Sequence, residues 1–178
     1  LLASGCEVPD SEFLARADVL QALGKNVLIS KYPEVHRVSS YLARHTQCPI
    51  GIVLGLPLFQ ELFNERWCTD LEGGLLESFG RLFKNQVRVY VYPMGDPMTG
   101  KVLGAADAKL SPEKRHLLRY LMDTNSVRPL DDPHAEFIFH TSAEVRNMIH
   151  ARDPQWQSFV PDIVLKQGPW REIVTPAM

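Results

Sequence analysis

Ile50-Gly51-Ile52-Val53-Leu54-Gly55 is an apolar, largely β-branched run that ends in glycine, and Pro57 follows it at a first helical position ahead of Leu58, Phe59, Leu62 and Phe63. This stretch reads as strand, tight turn and helix. Downstream, Gly73-Gly74 breaks the chain, and Leu75, Leu76, Phe79, Leu82 and Phe83 form a helical stripe with Glu77, Ser78, Arg81 and Lys84 on its far side. Val87, Val89 and Val91 then alternate with Arg88, Tyr90 and Tyr92 up to Pro93, the pattern of a strand with one less apolar face.

Upstream, Val35, Val38 and Leu42 recur at helical spacing, and Arg44-His45-Thr46-Gln47 with Pro49 closes that helix. Val27-Leu28-Ile29-Ser30 is a short apolar run that reads as a further strand, buried in a sheet covered on both faces. Asp10-Ser11 starts a helix whose face is Phe13, Leu14, Ala17, Leu20 and Leu23, ending at Gly24. The order helix, strand, helix, strand, helices, strand is that of right-handed crossovers around a parallel sheet. It predicts a Rossmann-like three-layer α/β domain with a mostly parallel sheet and a helical C-terminal tail.

That tail begins after a turn-rich stretch, 94–100, read as a surface loop. Ser111-Pro112-Glu113 starts a helix with Leu117, Leu118 and Leu121 as its buried stripe. Phe137-Ile138-Phe139 reads as a short last strand. Thr141 and Glu144 have capping-box spacing and open a helix through Val145, Met148 and Ile149, and Pro161 opens a final short one. With no internal repeat, low-complexity tract or linker, residues 1–178 read as a single domain.

The chain is 45% hydrophobic and 22% charged, the balance of a soluble globular domain. Its 19 basic and 21 acidic residues leave a net charge of -2, which gives no electrostatic reason to expect nucleic acid or an anionic membrane as partner. No apolar run reaches the roughly 18 residues of a membrane span. Cys6, Cys48 and Cys68 show no CxxC or Cys/His spacing, which argues against a disulfide framework or a zinc site and for a reducing, cytoplasmic setting. Cys48 and Cys68 read as small buried hydrophobes. Leu1-Leu2-Ala3-Ser4-Gly5 has neither an initiator Met nor signal-peptide character, so the expectation is the C-terminal part of a longer protein, with the missing N-terminal region as a partner.

Ligands of open parallel sheets bind beyond the carboxyl ends of the strands. Three places qualify: Ser30-Lys31, Gly55, and the turn from Phe139 to Arg146. At Gly55 the plain alternative is a glycine needed only for the turn, and at Lys31 a solvated lysine. Thr141-Ser142 with Arg146 one turn later suits a phosphate, while the alternative is an ordinary capped helix with an exposed arginine. Gly73-Gly74 stands beside Asp70 and Glu72 and reads as a plain loop; Glu77 and Arg81 read as a helix-surface ion pair. His36, His45, His116, His134, His140 and His150 lack HExxH spacing, so no metal site is expected, and no catalytic residue can be named. There is no Gly-x-Ser-x-Gly elbow, no GxxxxGK[ST] loop and no GxGxxG fingerprint.

The run Thr141 to Arg146, followed by Phe159-Val160-Pro161, resembles the closing segment of nicotinate-nucleotide adenylyltransferases, and Val53-Leu54-Gly55 with a helix reaching Trp67 is similar to that family's middle section. The resemblance implies Thr141, Ser142 and Arg146 as phosphate ligands, ATP with Mg as cofactor, and nucleotidyl transfer in NAD biosynthesis. Ala143 lacks the family's hydroxyl, and the chain has no His-x-Gly-His. Over about 18–164 the chain resembles the C-terminal part of a poorly characterised bacterial family whose members carry the adenylyltransferase name and also that of a TonB-dependent receptor. The carrying residues include Tyr41-Leu42-Ala43-Arg44, Thr69-Asp70-Leu71-Glu72-Gly73-Gly74, Leu76-Glu77-Ser78-Phe79-Gly80-Arg81-Leu82-Phe83-Lys84 and Tyr90-Val91-Tyr92-Pro93. A receptor barrel does not fit this composition. The implied function is a nucleotidyltransferase or nucleotide-binding domain acting on a nucleotide or phosphorylated metabolite; the competing expectation is a non-catalytic Rossmann-like module that binds a ligand or partner chain.

Overall fold

The computed structural model describes residues 10–130 and 138–167. The chain divides into two compact units, Tyr32–Phe139 and a second made of Leu1–Lys31 with His140–Met178, and no linker in the sequence marks the division.

The unit Tyr32–Phe139 is mixed α/β and Rossmann-like, though small. Its sheet consists of β1 (Ile50–Gly55), β2 (Val87–Tyr92) and β5 (Val127–Pro129), all parallel and in the order β1-β2-β5. The register pairs Ile50 with Val87 and Gly55 with Tyr92, so β1 and β2 match along their whole length. Helices α2 (Val35–Leu42), α3 (Leu56–Glu61), α4 (Gly74–Leu82) and α5 (Pro112–Asp123) complete the unit. Phe59 of α3, Phe79 and Leu82 of α4, and Leu118 and Leu121 of α5 enter one buried cluster. The same cluster holds Leu54, Val87, Val89, Val91 and Val127 from the strands.

Strand order explains why a single face is packed. Right-handed crossovers that advance steadily in one direction return every helix to the same side of the sheet; a second helical layer requires the order to reverse. The described strands do not reverse, and among the described residues of this unit the opposite face stays open, with Val53 59% exposed. The expected strand at 27–30 does not form: Leu28 and Ile29 are 54% and 56% exposed, and β1 is an edge of the sheet. Three apolar residues and a serine without a strand partner cannot satisfy their backbone in a ladder, whatever their β-propensity.

The stretch 94–100 is more ordered than a loop. β3 (Met94–Asp96) and β4 (Lys101–Leu103) pair antiparallel. The Asp96 carboxylate accepts the Met98 N–H at 3.0 Å and the Thr99 hydroxyl at 2.7 Å, which shapes the turn, and Gly100 takes the left-handed φ of +66° that closes it. Ile138 and Phe139 form a turn rather than a strand, and Phe137 lies outside the described residues. The helix expected to reach Trp67 stops at Glu61, and a separate 3-10 turn covers Glu65–Trp67. Cys68 is buried, but Cys48 is exposed, contrary to expectation, and both are free thiols; Cys6 lies outside the described residues. Burial, with Glu65 adding its charge, pushes the Cys68 thiol above its ordinary pKa and keeps it protonated.

In the second unit α1 (Asp10–Ala22) contacts α7 (Asp162–Gln167), and α6 (Ser142–His150) contacts a 3-10 segment, Pro154–Phe159. α1 forms as expected and ends at Gly24, whose φ is +72°. Its buried residue is Ala15, whereas Phe13, Leu14 and Leu20 of the expected stripe are exposed. At 1.5 Å per residue α7 is only about 9 Å long and cannot cover a helix of about 20 Å.

Candidate functional site

The carboxyl ends of the three strands form the rim on which an α/β ligand site is built. Gly55 ends β1 and is the N-cap of α3, with φ −67° and ψ 154°, ordinary extended values. A Cβ added there would meet only Pro57 Cδ, at 3.9 Å, so the glycine leaves bare backbone facing open space. Tyr92 ends β2 in register with it, and the Leu130 N–H donates to the Val91 carbonyl at 3.0 Å, carrying β5 to the same edge.

Thr141, Ser142 and Arg146 stand together on the first turns of α6, in the other unit from Gly55. The capping box is complete. The Glu144 N–H donates to Thr141 Oγ1 at 3.2 Å, and the Glu144 carboxylate accepts the Thr141 N–H at 2.6 Å. That N–H, joined by the Thr141 hydroxyl, holds the Glu144 carboxyl below the usual carboxylate range. An ionised carboxylate therefore takes the Thr141 N–H and hydroxyl and puts a negative charge at the dipole end to which a phosphate would be drawn.

A second polar site, which spacing in the sequence did not reveal, joins α2 to α4. His36 is 4% exposed, and its Nδ1 lies 3.2 Å from Ser78 Oγ across 42 positions of chain. Around them Arg37 pairs with Asp70, Gly73 N–H donates to Glu77 at 2.9 Å, and Arg81 donates to Glu77 at 2.6 Å, the ion pair expected from the i,i+4 spacing. The Gly73 N–H first, and Arg81 with it, hold Glu77 below the usual range, so it is ionised. Burial pushes the His36 imidazole below its ordinary pKa, with Arg37 and Arg81 acting the same way and Glu34 and Asp70 opposing. A serine within reach of a neutral imidazole has two members of a nucleophile-and-base arrangement. The third is missing among the described residues: His36 Nε2 is buried with no hydrogen-bond partner, so none of their carboxylates orients the ring. The pair is a tie between helices. No spacing signal points to it: His36 lies beside the apolar stripe Val35, Val38 and Leu42, and the packing of α2 on α4 is what buries it.

The chain matches no family model, no curated protein and no solved structure. Among the described residues no helix is long and apolar enough to cross a membrane.

Proposed function

We propose that the unit Tyr32–Phe139 is a non-catalytic Rossmann-like module that binds a nucleotide or another phosphorylated metabolite at the carboxyl rim of its sheet. The observation that carries this reading is Gly55, a bare glycine where a parallel strand turns into a helix and where open space lies beyond the backbone. Nucleotidyl transfer, with Thr141, Ser142 and Arg146 on the triphosphate of ATP, is the less favoured reading, because the Glu144 carboxylate already sits at that helix start.

Gly55→Asp tests the rim directly. Aspartate is a good N-cap and meets no steric obstacle, so the fold is retained, while its charge repels a phosphate. Calorimetric titration with ATP and with nicotinate mononucleotide should show binding to the natural chain and at least tenfold weaker binding to the variant. Equal binding by both proteins contradicts the rim, and pyrophosphate release from the two ligands together, lost in Arg146→Ala, restores the transferase.

A further inference from the structure

The open face of the sheet has a composition that its packed face does not. In successive rows across β1, β2 and β5 it carries Gly51 beside Arg88, then Val53, Tyr90 and Arg128, then Gly55 beside Tyr92. No row contains a carboxylate. Among the described residues neither Arg88 nor Arg128 has a hydrogen-bond or ion-pair partner, and Arg128 Nε is shielded from solvent with no acceptor. By contrast Arg37, Arg66 and Arg81 each hold a carboxylate. An arginine with no carboxylate beside it keeps the accessible N–H groups of its guanidinium for an anion from solution, and Arg88 is exposed.

The tyrosines supply the other half of the surface. Tyr90 leans diagonally over Gly51, where an added Cβ would lie 3.2 Å from Tyr90 Cε2, so the ring lies along the sheet instead of standing away from it. Tyr92 follows two residues later on the same face, about 6.6 Å along the strand. Two rings in adjacent rows of a central strand, flanked by two uncompensated arginines and floored by glycines, can take two successive bases and the phosphates beside them.

We propose that this face binds single-stranded nucleic acid, with bases stacked on Tyr90 and Tyr92 and phosphates held by Arg88 and Arg128. The net charge of -2 averages over the whole chain and does not describe this face, where both charged side chains are cations. A duplex does not fit, because its bases are already stacked on one another. A free mononucleotide would use one ring and leave the other bare.

The test is fluorescence anisotropy of the full chain with a labelled single-stranded oligouridylate of about ten nucleotides. The natural chain should bind the single strand and not a duplex of the same length, and two phosphate contacts give a log K against log salt slope of about −1.4. Tyr90→Ala should weaken binding roughly 5- to 150-fold. Arg88→Gln and Arg128→Gln should each flatten the slope by about 0.7. Gly51→Val, which keeps a strand-forming residue but evicts the ring, should act as Tyr90→Ala does, and circular dichroism and urea midpoints of Arg88→Gln should match the natural chain. No binding by the folded chain at low salt overturns the proposal. So do unchanged affinity in the Tyr90→Ala and Arg128→Gln proteins, and displacement of the oligonucleotide by adenosine monophosphate at equal base concentration, which would mark a one-nucleotide pocket. Arg88→Gln, at the amino end of β2, separates this face from the rim: weakened oligonucleotide binding with unchanged ATP binding supports a face distinct from the rim, and equal weakening of both overturns that distinction.

Discussion

On β2, Val87, Val89 and Val91 point into the buried cluster, while Arg88, Tyr90 and Tyr92 point the other way into an open face where Val53 of the neighbouring strand is 59% exposed. The two sets alternate along one strand and share its backbone, so they differ only in what stands opposite them. The valines join the buried cluster with α3, α4 and α5; the polar set stays outside that cluster, Arg88 exposed and the two tyrosines half-buried. One face contributes stability and the other presents groups to a ligand, because a strand order without reversal leaves only one side to be covered.

The largest break in that division comes from the packed side. Phe59 is fully buried, and Phe59→Ala should lower stability by about 3–5 kcal/mol, read as an earlier urea midpoint. Gly95→Ala comes next: a Cβ there would fall within the Phe139 ring, and the overpacking should cost about 1–3 kcal/mol at the β3 and β4 pair without touching the three-stranded sheet. Thr141→Ala removes the α6 cap and should cost about 1 kcal/mol, which amide exchange would place in α6 and not in β1 or β2.

The smallest expected effect is a pH slope. Because burial holds the His36 pKa in the folded chain below its unfolded value, the unfolded chain binds the proton first as pH falls. The stability that neutral His36 contributes is full above the ordinary value of about 6.5 and is lost between there and the lowered folded pKa. His36→Gln should remove this part of the slope between pH 7 and 5 in urea titrations. An unchanged slope would mean that other groups produce it.

The long, patterned segments were legible. β1 and β2 coincide with apolar and alternating runs, α5 starts after Ser111 with Pro112, and the Thr141 and Glu144 capping box forms as spaced. Failures share a cause, which is dependence on a distant partner. β5 is three residues long, contains Pro129, and exists because β2 stands beside it. The run at 27–30 has strand composition and lacks such a neighbour. Of the site, Gly55 and the start of α6 were visible as local motifs, whereas their separation into two units was not. The His36 and Ser78 tie and the row Val53, Tyr90, Arg128 are products of register and packing, so no local window contains them.

The division of β2 into a stabilising and a binding face is tested most directly by measuring the urea midpoint and the oligonucleotide affinity side by side in Val89→Ala and Tyr90→Ala. Val89→Ala should lose about 2 kcal/mol of stability and, while folded, keep its affinity; Tyr90→Ala should keep its midpoint and lose affinity. If both substitutions move the midpoint alike and neither changes binding, the open face has no separate role and the account is wrong.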